Sequence, residues 1–351
     1  QPLPFQMCWV SWDSSVLGQS MSRARIATMG LLSCGVILVC SRSLLFLPLR
    51  YVTAMPKVML QNTKLAVLQS NRSLDDFRPK YARLKSTTDT DVFWQLPHQE
   101  EAPNGVLFVA HGCNHQASDL FAQVKDGWEF PGCKESRLKR CLGLPEERRL
   151  VRMARQRGFL VIGVSGGSGL KSCWDMEGDP RRVKDAVDYV LAEERLPGQI
   201  PIYATGASSG GAFMGALASS RVLDGRLRCV APQISRIPPG GTASVPTLFI
   251  HMAKHDPFTA EFVKENLVKL KSLGVRASEI IANPLPITTS LLERSMSASD
   301  ANAVLEAFHT AGLLDKDGAL HEDPRRSNWR EILRGKTQVP RDDSLVADES
   351  P

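Results

Sequence analysis

Six short apolar runs punctuate the middle of the chain: DVFWQLP (91–97), GVLFVAHG (105–112), FLVIGVSG (159–166), IPIYATG (200–206), LRCVAPQ (227–233) and PTLFIHMA (246–253). They are rich in Val, Ile and Phe and show little alternation of apolar and polar positions, as expected of strands covered on both faces. Stretches with helical periodicity lie between them. LPEERRLVRMARQRG opens with Pro145 near its first turn and closes on Gly158. DPRRVKDAVDYVLAEER gathers Val183, Ala186, Val187, Val190 and Leu191 on one face, and TAEFVKENLVKLKSLG stops at Gly274. Strand and helix in alternation predict right-handed crossovers: an α/β fold with a mostly parallel central sheet and helices on both faces.

The texture differs on either side of this core. Residues 1–60 read as a targeting or membrane-anchor segment, with Arg23 and Arg25 ahead of the apolar stretch Ile26–Cys40 and a second apolar patch at Leu44–Leu49. The first stretch suits a signal-peptide core better than a full span of ~20 residues, and counting through Leu49 reaches spanning length at the cost of Arg42. Secretion or membrane association through residues 26–49 is the favoured reading, and an organelle transit peptide also fits. Residues 61–88 form a polar lead-in, irregular or short-helical, and 89–285 make up the α/β core. Residues 286–335 lose the strand texture and read as a helical C-terminal extension, and 336–351 as a charged, disordered tail.

Composition narrows the function. The 351 residues suffice for one large α/β domain with extensions, and 43% apolar residues can bury a substantial core. The net charge of +6 is dispersed: Arg148-Arg149 and Arg181-Arg182 sit beside Glu146-Glu147 and Asp179. That is the pattern of solvated helix faces and not of a nucleic-acid stripe. No C-x-x-C pair and no phosphate-cradling G-x-x-x-x-G-K-[ST] occurs, which argues against structural zinc and nucleotide sites. Cys113, Cys133, Cys141 and Cys173 cluster while Cys229 stands apart; in an oxidising compartment the four would form two disulfides, and otherwise they are buried thiols.

The most informative stretch is IYATGASSGGAFMGAL (202–217), in which Gly206-Ala207-Ser208-Ser209-Gly210 fits G-x-S-x-G between a buried strand and a helix of small residues. A serine on such a corner has its hydroxyl lifted clear of the sheet, and flanking glycines let helix and strand approach without a Cβ clash. The backbone N–H of Ser209 then faces the oxygen that gains charge when a carbonyl is attacked. A second donor is expected from the loop after GVLFVAHG, where Gly112 or Cys113 supplies an N–H and His111 braces the loop.

These residues resemble the α/β-hydrolase superfamily, over roughly Asp91 to Pro284, and the esterase, depolymerase and prolyl-peptidase-like branches in particular. The resemblance implies Ser208 as nucleophile and an acid after the next-to-last strand, Asp256, which would orient a catalytic histidine. It also implies a histidine in the loop after the last strand, around SEIIANPLPIT, which contains none. His309, in a helical stretch, is the nearest candidate in family order; His321, His115 and His255 are alternatives. The expected activity is a serine hydrolase acting on small-molecule or polymeric esters or amides, with no metal or organic cofactor. The alternative is the same fold without turnover, serving as a binding protein.

Overall fold

The computed structural model describes residues 79–85, 89–98, 102–121, 143–167, 172–223, 225–237, 245–252, 256–293, 296–321 and 327–334. The segments read as targeting signal and C-terminal tail lie outside these residues. So do Cys133, Cys141, His255 and most of the excursion between Cys113 and Leu144.

Eight strands form one sheet: β1 (Lys80–Leu84), β2 (Thr90–Gln95), β3 (Gly105–Ala110), β4 (Phe159–Val164), β5 (Ile202–Ala207), β6 (Leu227–Gln233), β7 (Thr247–His251) and β8 (Ala277–Ile281). Their order is β1-β2-β4-β3-β5-β6-β7-β8. β2 runs antiparallel to β1 and β4, and every other pairing is parallel. All six predicted strands are present. The lead-in read as irregular or short-helical contains β1, which pairs with β2 from Lys80↔Trp94 to Leu84↔Thr90. It is a short edge strand with no fully buried residue, so no buried run announces it. β8 is the opposite edge and takes up the first four residues, 278–281, of the stretch read as the loop after the last strand.

Because successive side chains in a strand point to opposite faces, each buried run feeds two cores. Val106 and Phe108 of β3, with Leu160 and Ile162 of β4, pack against α2 (Asp179–Glu193) and α3 (Ser209–Ser219). Leu107, Val109 and Val161 face the other way, against α1 (Pro145–Gln156) and the 3-10 turn Ala117–Leu120. Helices therefore cover both faces. α4 (Pro257–Ser272) packs Val263, Leu267 and Leu270 against Phe249 of β7. The C-terminal helices α5 (Thr289–Leu292), α6 (Ala298–Thr310) and α7 (Trp329–Ile332) gather in a cluster of their own around Leu291, Val304 and Phe308.

One consequence of this topology places the site. β3 and β5 are neighbours, with Ala110 opposite Gly206, yet the helix after β3 lies on one face and the helix after β5 on the other. The two departing loops leave a crevice at the carboxyl ends of these strands, where open α/β sheets bind ligands. Among the described residues no helix is long and apolar enough to cross a membrane; residues 26–49 are not among them.

Backbone approaches backbone closely at this crevice. A Cβ on Gly210 would stand 2.5 Å from the Ala110 carbonyl oxygen and 2.6 Å from that of His111. Gly210→Ala is expected to lower stability by about 1–3 kcal/mol, since backbone cannot yield as a side chain tip can. Urea denaturation of variant and parent with disulfides intact measures it; equal midpoints would show that α3 moves freely over β3.

Candidate active site

Ser208 stands between β5 and α3 with φ 53° and ψ −117°. An L-residue pays on the order of 1–3 kcal/mol to hold a conformation of this kind, so it persists only where the surroundings enforce it. They do so here. The Ser208 N–H donates to the Gln233 carbonyl at 3.0 Å, and the Ser208 carbonyl accepts from Ala212 N–H at 2.9 Å, starting α3. A Cβ on Gly206 would lie 2.7 Å from Gly210 backbone, and one on Gly211 would lie 2.7 Å from the Gln233 oxygen. Only glycines on both sides allow the corner to be this tight. Ser208 is half-buried, and its side chain makes no capping hydrogen bond to α3.

The two groups expected to steady an oxyanion sit beside it. Ser209 opens α3, where a backbone N–H has no carbonyl within the helix to bind and the helix dipole is positive. Gly112 is adjacent across the crevice: a Cβ built there would stand 4.0 Å from Ser208 Cβ and 3.9 Å from the Ala207 oxygen. Cys113 follows and is joined to Cys173 by a disulfide. That bond ties the loop after β3 to the loop after β4. Of the four clustered cysteines these two pair with each other; Cys229, read as standing apart, is also disulfide-bonded.

Several side chains brace this loop pair. His111 Nε2 accepts from Gly166 N–H at 3.0 Å, which leaves Nδ1 protonated and donating to the Gly112 carbonyl at 2.7 Å. Trp174 stacks on Phe213, gives its indole N–H to the His111 carbonyl at 2.8 Å, and donates its backbone N–H to Ser209 Oγ at 2.9 Å. Asp179 is fully buried; its carboxylate accepts from Gly167 N–H at 2.7 Å and Asp175 N–H at 2.8 Å and pairs with Arg182. Burial holds its carboxyl above the ordinary range in spite of these donors. Trp174 lies in the loop after β4 and Asp179 opens α2 directly beyond it, at the same pole of the sheet as the elbow.

The expected acid and base have partners of their own or lie exposed. Asp256 is the N-cap of α4: its carboxylate accepts from Thr259 N–H at 3.2 Å and from Thr259 Oγ1 at 2.6 Å. His309 is exposed on α6, whose buried face belongs to the C-terminal cluster. His321 Nε2 lies 2.9 Å from the Gly312 carbonyl. His115, in contrast, is next to the corner. The Cβ direction of Gly112 that points to Ser208 also comes within 3.8 Å of His115 Cδ2. His115 Nδ1 is 3.1 Å from Asp119 Oδ2, and Asp119, 1% exposed, also accepts from Gln116 N–H at 3.2 Å.

A cavity of about 170 Å³ opens here, lined by Gly112, His115, Asp119, Glu147, Ala207 and, further in, apolar residues of β3, β5, β6 and α1. Among the described residues no three His, Cys, Asp or Glu side chains converge as a metal site requires.

No protein-family model matches the chain, and neither does the sequence of a curated protein. Solved structures with a similar arrangement include an acylaminoacyl peptidase from Pyrococcus horikoshii, at 12% identity and TM-score 0.42, covering 58% of this chain and 36% of its own. A carboxylesterase from Bacillus cereus has 14% identity and TM-score 0.37, covering 67% of this chain and 98% of its own. A serine hydrolase without lid from Xanthomonas campestris has 12% identity and TM-score 0.39, covering 59% and 85%. The chain spans 36% of the peptidase and 56% of a thermostable esterase that is also similar. By its own strand order and its strand–serine–helix corner, the architecture is α/β-hydrolase-like.

Glu147 makes the cavity sensitive to pH. Burial raises its carboxyl from 4.5 to about 7, against the opposing pull of a backbone hydrogen bond and of His115. Between these values the folded protein keeps a proton that the unfolded chain releases, so stability falls as pH rises through the window, by up to about 3 kcal/mol. Glu147→Gln is expected to abolish that decline and to be the more stable form at pH 7.5 but not at pH 4.5. Denaturation midpoints across the range test this, and parallel curves for the two proteins would contradict it.

Proposed function

We propose that the protein is a serine hydrolase acting on esters or amides. The observation that carries this reading is the positive φ of Ser208 on a glycine-walled corner, beside Gly112 and Ala207, which line an apolar cavity. Ser208 Oγ attacks the substrate carbonyl. The N–H groups of Ser209 and of Cys113 or Gly112 hold the resulting oxyanion, and preorganised backbone donors of this kind typically contribute about 3–4 kcal/mol each to such steps. The leaving group departs, and water then hydrolyses the acyl-enzyme. The apolar lining favours a substrate with an apolar acyl or leaving group. The Cys113–Cys173 disulfide supports residence in an oxidising compartment such as the secretory pathway.

A second reading, an α/β-hydrolase-like binding protein without turnover, is favoured by one observation. His309 is exposed on a helix of the C-terminal cluster, so the base expected from family order is not packed against the sheet that carries Ser208. Hydrolysis of a p-nitrophenyl ester by the full chain separates the two. Ser208→Ala is expected to cut kcat/KM by about 10³-fold or more. Equal rates for parent and variant would remove Ser208 from the reaction, and a folded parent with no turnover on any ester offered would leave the binding reading.

A further inference from the structure

We infer that His115, oriented by Asp119, is the general base that activates Ser208. The inference rests on the serine-hydrolase reading and supplies the group that reading lacks.

The described histidines can be taken in turn. Both ring nitrogens of His111 are engaged within its own loop. His251 Nε2 is 2.9 Å from Glu279 at the β7–β8 edge, and His321 Nε2 is engaged with Gly312. His98 follows β2, which runs antiparallel to β4, so it sits at the pole opposite the crevice. His309 lies on the exposed face of α6. His115 alone of these joins the same spot as Ser208: a methyl group on Gly112 would touch both, at 3.8 Å and 4.0 Å. The imidazole carbon and the serine Cβ are thus no farther apart than the sum of those two distances. The ring presents its Cδ2 edge, the edge that carries Nε2, toward Gly112.

The chemistry of the pair fits the task. A carboxylate can only accept, so Asp119 draws the proton of neutral His115 to Nδ1 and leaves the Nε2 lone pair free to accept from a hydroxyl. Asp119 is itself held by Gln116 N–H within the turn that begins at Ala117, so the i, i+4 pair is a rigid unit. Glu146, Glu147, Arg149 and Arg157 are the other charged groups lining the same cavity.

In the step this assigns, the Ser208 Oγ–H proton passes to His115 Nε2 as the Oγ–carbon bond forms and the carbonyl electron pair moves onto its oxygen. Protonated His115 then returns that proton to the alcohol or amine as the carbon–heteroatom bond breaks. Water attacks the acyl carbon as it gives a proton to Nε2, and His115 then returns that proton to Ser208 Oγ as the Oγ–carbon bond breaks and the acid leaves. No proton passes to Asp119, which is a positioning residue.

The test is the rate at which Ser208 in the full chain takes up a fluorophosphonate probe. His115→Ala is expected to slow labelling about 10²-fold or more, and added imidazole to restore a measurable part of the rate. Asp119→Asn is expected to slow it less and to show no such rescue. His115→Gln, which keeps most of the side-chain volume, guards against misfolding, with circular dichroism as the check. If the parent labels at Ser208 and both His115 variants label equally fast, the assignment to His115 falls while the hydrolase reading stands. Loss of labelling in His309→Gln with His115→Gln unaffected would likewise overturn it. A folded parent that takes no label at Ser208 would overturn the hydrolase reading itself.

Discussion

A serine held at φ 53° is the constraint on which the rest of this structure depends. Left to itself the residue would relax into an ordinary turn, and the hydroxyl would sink toward the sheet. The strain is held in place by backbone pressed against backbone: α3 lies on the end of β3 through Gly210 and on the end of β6 through Gly211, with Gly206 beneath. Any side chain at these positions would push the helix away and remove the reason for the corner to stay bent. The small-residue stretch therefore sets the position of a single hydroxyl.

The same economy of space explains the loops around it. The crevice between β3 and β5 exists because their following helices lie on opposite faces, and the loop after β3 must cross that opening with little support from the sheet. It is fastened instead by the Cys113–Cys173 bond, by the His111 ring spanning to Gly166, and by Trp174, which reaches both His111 and Ser209. Asp179 anchors the far side of that second loop from a fully buried position, a costly place for a carboxylate unless several donors meet it. Groups that would otherwise move independently are thereby linked to the helix that carries the elbow.

Much of this was legible in the sequence, and the exceptions have physical causes. The six buried strands and the covering helices are announced by continuous apolar runs and helical periodicity. The elbow shows because glycine is required there on steric grounds. β1 and β8 are harder to see, since an edge strand needs no continuous apolar run; neither Lys80–Leu84 nor Ala277–Ile281 contains a fully buried residue. Asp256 illustrates a different limit. An aspartate immediately before Pro257 and three residues ahead of Thr259 reads equally as a catalytic acid and as a helix cap, and the cap is formed, with Thr259 binding both of its oxygens. His309 was favoured because it follows Asp256 in the chain, but chain order says nothing about exposure, and its helix packs in the C-terminal cluster. His115, three residues past Gly112, stands in the sequence only as an alternative because it precedes Ser208; what chain order hides is its i, i+4 spacing to Asp119, which the 3.1 Å contact realises.

The most direct test of a strained nucleophile facing backbone donors is a crystal structure of the protein after reaction with a phosphonate that mimics the tetrahedral intermediate. The expected result is a phosphorus–Oγ bond at Ser208, with the residue still at positive φ and the phosphonyl oxygen accepting from the N–H of Ser209 and of Cys113 or Gly112, at about 2.7–3.1 Å. An adduct whose phosphonyl oxygen points to solvent, or a Ser208 relaxed to negative φ, would contradict the account.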